Sequence, residues 1–207
     1  MVRDLTKGDP TKLILQFCIP LVIGNIFQQF YNMVDSIVVG KFVGKAALSA
    51  VGSVASLSFL VIGFVLGACS GFAIPIAQSF GAGDMKKLRK YLANIIYLSL
   101  ITGAVVTALT MSLSKRLLIL MNTPETIIHD SYVYITIIFG GILATMFYNI
   151  LSAVIRAVGD SKTPLYFLIF SSTLNIILDL IFVIVFSWGV MGVAVATVIA
   201  QFVSGFL

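Results

Sequence analysis

The chain has 207 residues, of which 59% are apolar and 10% charged, and its mean hydropathy is +1.10. A soluble domain of this size carries roughly a quarter charged residues because it must coat its surface in water, so the composition excludes a soluble globular protein and equally excludes a disordered chain. The net charge of +5 raises nucleic acid or a membrane surface as partners, and the positions of the charges decide what it means.

Uncharged runs fill 13–34, 46–83, 91–114, 131–155 and 163–178, and after Asp179 no charge appears before Leu207. A helix needs roughly 20 residues to cross about 30 Å of hydrocarbon. The pattern therefore predicts an all-α integral membrane protein with six spans, at about 13–36, 48–76, 90–114, 130–155, 163–186 and 189–207. The second span exits through Gly81-Ala82-Gly83-Asp84, and the fifth and sixth are separated at Ser187-Trp188-Gly189, where turn residues flank an interfacial aromatic.

If the N-terminus is cytoplasmic, the inner segments hold Arg3, Lys7, Lys12, Lys86, Lys87, Arg89, Lys90, Arg156 and Lys162, against Lys41, Lys45, Lys115 and Arg116 outside. That asymmetry follows the positive-inside rule. The basic excess is thus an orientation signal that points to a multi-pass protein of the cell membrane, in contact with the lipid bilayer and not with nucleic acid. Residues 1–12 contain two Asp and no apolar leader core, so they are not read as a cleaved signal peptide. Cys18 and Cys69 fall inside spans at no metal-ligand spacing and are expected to be packing residues. His129 is expected in a solvated outer loop, beside Glu125 and Asp130.

Amides and carboxylates inside lipid cost several kcal/mol unless partnered, so the polar stripes within these spans are informative. In the first span Asn25, Gln28, Gln29, Asn32, Asp35 and Ser36 fall within about 120° of arc, downstream of Pro20, which deletes one backbone donor and favours a bend. Such a stripe lines a cavity or a bundle interior. The second span presents Ser49, Gly52, Ser53, Ser56, Gly63, Gly67, Ser70 and Gly71, a face of small residues read as close helix packing. The fourth aligns Thr145, Asn149, Ser152 and Arg156, the fifth Ser171, Ser172, Asn175 and Asp179, and the sixth Thr197, Gln201 and Ser204.

At about 1.5 Å rise per residue, Asp35 lies roughly 33 Å up its span, Asp179 roughly 24 Å, Asn175 roughly 18 Å, and Thr197 roughly 10 Å below the outer surface. All four belong to the outer half. Two carboxylates, an amide and a hydroxyl form a hard-oxygen set suited to Na+, or to a proton shared between carboxylates.

Several runs resemble a known family. Pro20-Leu21-Val22, Tyr31-Asn32-Met33-Val34-Asp35, Gly40 and Gly44 to Gly52 resemble the start of the multidrug and toxic compound extrusion (MATE) transporters. Gln78 to Gly83, Arg156 to Asp160 with Pro164, Leu174 to Asp179, Gly189 to Ala194 and Ala196-Thr197 follow in matching order. The resemblance implies a cation-coupled antiporter of two six-helix lobes that expels organic, often cationic, drug-like compounds, with no enzymatic activity and no cofactor beyond Na+ or H+ as coupling ion. It implies that this chain is the N-terminal lobe, with the C-terminal lobe absent or replaced by a second copy. It also implies a coupling-cation site at Asp35, Asn175, Asp179 and Thr197 with Tyr134, a bending first helix at Pro20, and cavity-lining Asn25, Gln28 and Asn32.

Two alternatives use the same residues. A lipid-linked oligosaccharide flippase shares the general fold but is expected to line its cavity with several basic residues, of which only Arg156 is present. An intramembrane aspartyl protease is suggested by Gly81-Ala82-Gly83-Asp84, but Asp84 precedes Met85-Lys86-Lys87 at the opposite face from Asp35.

Overall fold

Capping and turn chemistry set the element boundaries in the computed structural model, which describes residues 9–207. Arg3, Lys7 and the leader question lie outside the described residues. Helix α1 (Pro10–Val38) starts with Asp9 accepting the Thr11 amide at 2.9 Å and with Pro10 already at helical φ. It passes through Pro20 and continues as a π-helical turn, Val39–Val43, stopped by Gly44 at φ 123°. Helix α2 (Lys45–Gly81) ends at Gly83, φ 70°. Asp84 then caps α3 (Met85–Leu120) by accepting the Lys87 amide at 3.0 Å, and its second oxygen pairs with Lys87 Nζ at 3.3 Å. The hydrogen bond from the Lys87 amide, aided by the Lys87 charge, lowers the Asp84 pKa. Asp84 is thus occupied in capping a helix.

Helices α4 (Glu125–Gly140) and α5 (Ile142–Ala157) meet at a 45° bend. Together they cover the expected fourth span; the bend falls at Gly140-Gly141, where α5 and α7 pack so closely that a Cβ on Gly141 would lie 2.3 Å from Val198. Helix α6 (Lys162–Leu180) runs into a second π-helical turn, Ile181–Val185, and α7 (Gly189–Phe206) follows a turn with Ser187 at φ 55°. Trp188 stacks there on Phe182 and Phe186, with centroids 5.0 and 5.5 Å apart. Five helices are long and apolar enough to cross a membrane, and six spans result when the bent α4–α5 pair is one. The helices run several residues beyond most of the expected span limits, because their ends are set by caps and glycines outside the apolar windows.

The bundle has two packed groups. Val54, Val61, Val65, Cys69 and Ile76 line one stripe of α2 and pack on Ile135 and Phe139 of α4, on Ile142, Met146 and Ile150 of α5, and on α3. On the other side α1 packs on α6, and α6 on α7, which in turn closes on α4 and α5. A second cluster, Val38, Val39, Ala47, Val183, Val190 and Val193, ties the two π-helical turns to the starts of α2 and α7. Beyond this joint, α1 is packed along α6 and α2 along α5, leaving a cleft between them.

Three sequence expectations are corrected. No atom from elsewhere comes within 4 Å of where a Cβ would stand on Gly52, Gly63, Gly67 or Gly71, so within this lobe the glycines of the small-residue face are not packed on another helix, while Ser53 of that face meets Ser131 of α4 at 3.0 Å. Cys69 is buried as expected, but Cys18 is exposed, because α1 rests on α6 with one side only. His129 stands on the exposed face of α4, inside the helix that begins at Glu125 and not in a loop.

Candidate functional site

One end of the cleft gathers polar residues of α1, α6 and α7. Asp35 lies two turns short of the end of its helical segment, since the π-helical turn carries the chain on to Val43. It therefore sits inside the bundle and not at a wetted helix end. Packing of α1 on α6 brings its carboxyl group beside that of Asp179. Asp179 is fully buried, and both of its oxygens, with Oδ1 of Asp35 and Oδ1 of Asn175, are buried without a hydrogen-bond partner.

Asn175 stands one helical turn before Asp179 and is 2% exposed. Its Nδ2 donates to Thr197 Oγ1 on α7 at 3.3 Å, and Thr197 donates to the Val193 carbonyl at 3.0 Å. Tyr134 of α4 feels the charge of both aspartates and lines the same cleft. The five residues expected as a site, Asp35, Asn175, Asp179, Thr197 and Tyr134, thus come from α1, α6, α7 and α4 and gather in one region.

The cleft beside them encloses about 340 Å³ and is lined by Gln28, Tyr31, Asn32, Asp35, Tyr134 and Gln201, among others. A second space, about 320 Å³, lies toward the other end of the bundle against Pro20, Asn25, Gln28, Tyr148 and Arg156. Gln28 borders both, and also the narrow gap of about 30 Å³ between them that reaches Asn175 and Thr197. The stripe on α1 is therefore shared out: Asn25 and Pro20 serve one chamber, Asn32 and Asp35 the other, and Gln28 the junction. Gln29, exposed, only accepts from Asn32 at 3.2 Å.

Opposite α1 the stripes of α5 and α7 engage each other. Thr145 donates to Gln201 Oε1, Asn149 donates to the Thr145 carbonyl at 2.8 Å, and Ser204 donates to the Phe167 carbonyl of α6 at 2.9 Å. Two tyrosines escaped sequence reasoning as site residues. Tyr31, exactly one helical turn of four residues before Asp35, lies beside both aspartates, and Tyr148 lies beside Tyr31. The i, i+4 spacing of Tyr31 and Asp35 was the available signal for the first. Tyr148 carries a signal of the same kind, since Ser152 and Arg156 follow it one and two turns along α5.

Chemically, two carboxylates that face each other without a donor repel, and a proton or a cation between them would relieve the repulsion. Beside the two carboxylates stand the Asn175 amide and the Thr197 hydroxyl, and among the described residues no three or more His, Cys, Asp or Glu are grouped so as to hold a metal ion.

The MatE family model matches residues 20–181. The probable multidrug resistance protein YpnP of Bacillus subtilis is 35% identical over 200 residues, which cover 96% of this chain and 44% of that protein. The probable multidrug resistance protein YoeA of the same organism is 34% identical over 188 residues, 89% of this chain and 41% of that protein. The fold matches the outward-facing structure of a multidrug resistance MATE family transporter of the MOP superfamily with TM-score 0.91 and 29% identity, covering 98% of this chain and 45% of that one. The chain thus spans a little under half the length of the relatives it matches. With its six spans laid onto one half of a two-lobe transporter, the chain belongs to the MatE family of membrane transporters and forms one lobe of that fold.

Proposed function

We propose that this is the N-terminal, coupling lobe of a multi-pass efflux antiporter of the cell membrane, which expels drug-like organic compounds, often cationic, in exchange for Na+ or H+. The N-terminus is cytoplasmic, and the second lobe completes the drug path. Multidrug resistance is in the names of the relatives at 35% and 34% identity. The observation that carries the coupling role is the Asp35–Asp179 pair, with three of its carboxylate oxygens buried and undonated.

Asp35, Asn175, Asp179, Thr197 and Tyr134 form the coupling site in this reading. With the cleft open to the outside, a cation or proton settles between the carboxylates and removes the cost of keeping two charges in a poorly solvated space. That gain favours one arrangement of α1 over another, and Pro20, which lacks the amide that would lock the helix there, is where α1 yields. Asn25, Gln28 and Asn32 line the path. Because coupling is reciprocal, a cargo that binds more weakly once the cation is in place must weaken cation binding equally.

The test is gradient-driven ethidium efflux from cells expressing the gene that encodes this chain. Asp35→Asn and Asp179→Asn are each expected to abolish the gradient-dependent part at equal membrane expression. Efflux that persists at the wild-type rate in both variants overturns the assignment. Imposing Na+ and pH gradients separately identifies the coupling ion.

A further inference from the structure

The chamber at the other end of the cleft carries a charge that the coupling reaction does not use. Arg156, in the last turn of α5, borders the 320 Å³ space together with Ser152, Ser161, Ser70, Asn149 and Asn25. Gln28 and Tyr148 also line it, and the apolar part of its wall comes from Leu21, Leu66, Leu165 and Leu168 with the two prolines Pro20 and Pro164. Arg156 is half-buried, and among the described residues no carboxylate lies within ion-pair distance of it; its electrostatic neighbours are the Tyr148 hydroxyl and the Cys69 thiol. The nearest acid in sequence, Asp160, is committed elsewhere. It accepts the amides of Lys162 at 3.0 Å and Thr163 at 3.1 Å and the Thr163 hydroxyl at 2.9 Å, and so also occupies the first free amides of α6.

A half-buried guanidinium with no carboxylate partner is only partly solvated, and an anion in the chamber beside it would offset that loss. Its planar donors suit a carboxylate or phosphate, and the hydroxyls and amides around it can complete the hydrogen bonds. The volume is that of a small organic ligand, and the mix of apolar wall with a few convergent polar groups is that of a binding pocket. We propose that this chamber is an anion subsite, in which Arg156, with Ser152 and Ser161, holds the carboxylate or phosphate head of an amphiphile while its apolar body lies along Leu21, Leu66, Leu165 and Leu168. The cleft then has opposite polarity at its two ends, acidic at Asp35 and basic at Arg156, with Gln28 between them. The proposal rests on the lobe reading but not on the coupling role of the aspartates.

The anion can be the acidic arm of a cargo molecule or the phosphate of a membrane lipid. The test uses the purified full-length protein in neutral detergent, titrated with laurate and with dodecyl phosphate, and with dodecanol as the uncharged control. Both anions are expected to bind and dodecanol to bind at least tenfold more weakly. Arg156→Gln is expected to weaken the anions by about ten- to a hundredfold and to leave dodecanol unchanged. Arg156→Lys, which keeps the charge and loses the fork, and Ser152→Ala with Ser161→Ala give smaller losses and serve if Arg156→Gln does not fold. In nanodiscs, laurate affinity lowered by phosphatidylcholine relative to an equally neutral, phosphate-free glycolipid identifies lipid phosphate as the natural occupant, and equal affinity identifies the cargo; either result requires the Arg156 dependence. Anion binding that is indifferent to every one of these variants, or equal to that of dodecanol, overturns the subsite. Asp35→Asn separates the two proposals, because it is expected to stop coupled efflux and to leave laurate binding intact.

Discussion

Asn175 on α6 donates to the hydroxyl of Thr197 on α7, 3.3 Å away, and Thr197 spends its own proton on the Val193 carbonyl. The exchange leaves Asn175 Oδ1 buried and undonated beside Asp179. The hydroxyl is thus a hinge between two helices as well as a candidate oxygen ligand.

Thr197→Val preserves shape and deletes both hydrogen bonds. The Asn175 amide is then buried without its acceptor, at a cost of about 1–3 kcal/mol. A lower melting temperature of the full-length protein in detergent, with reduced gradient-driven efflux, is the expected result. A variant as stable as the wild type would show that water or a neighbour replaces the hydroxyl.

The Asp35–Asp179 pair should behave as one unit. Residues that act together are grossly non-additive, so with the partial-loss variants Asp35→Glu and Asp179→Glu the double variant is expected to be no worse in initial efflux rate than the poorer single one. Losses that multiply in the double variant would mean that the two carboxylates act at separate steps.

Gly141 is a packing requirement at the bend between α4 and α5. A Cβ there would stand 2.3 Å from Cγ2 and 2.9 Å from Cγ1 of Val198, and a β-branched side chain has no easy rotamer by which to retreat. Gly141→Ala is expected to destabilise by about 1–3 kcal/mol, seen as an earlier thermal transition. Adding Val198→Ala should restore most of the loss; if it does not, the clash lies with the backbone of the bend.

Asp160 joins α5 to α6 from outside the spans. Burial acts to raise its pKa, but hydrogen bonding, led by the Thr163 amide and including the Thr163 hydroxyl and the Lys162 amide, outweighs it, and the value comes down to about 2. A carboxyl group with a depressed folded value stabilises above its unfolded pKa, near 3.8, and loses that contribution as pH falls through about 2. Asp160→Ala should therefore lower the melting temperature at pH 7. The gap to the wild type should narrow below about pH 4 and close near pH 2. A gap that is constant with pH would assign the effect to packing.

What the sequence by itself determined is the local part of this protein. Uncharged runs of one membrane thickness define spans, and the 3.6-residue period places Asn175 with Asp179, or Gln28 with Asn32 and Asp35, on one face, because both follow from the geometry of a single helix. The family runs from Pro20 to Thr197 are likewise legible in one dimension. Tertiary structure alone decided which faces meet. Asp35 reaches Asp179 because α1 packs on α6 and not on α2, its neighbour in sequence. The glycines of the small-residue face of α2 stay unpacked within this lobe, since α2 buries its valine stripe against α4 and α5. The fourth span breaks at Gly140-Gly141, where α7 comes close, and Arg156 shares a cleft with Pro20. Each of these depends on contacts between residues far apart in the chain, and helical periodicity carries no information about the partner a face will find.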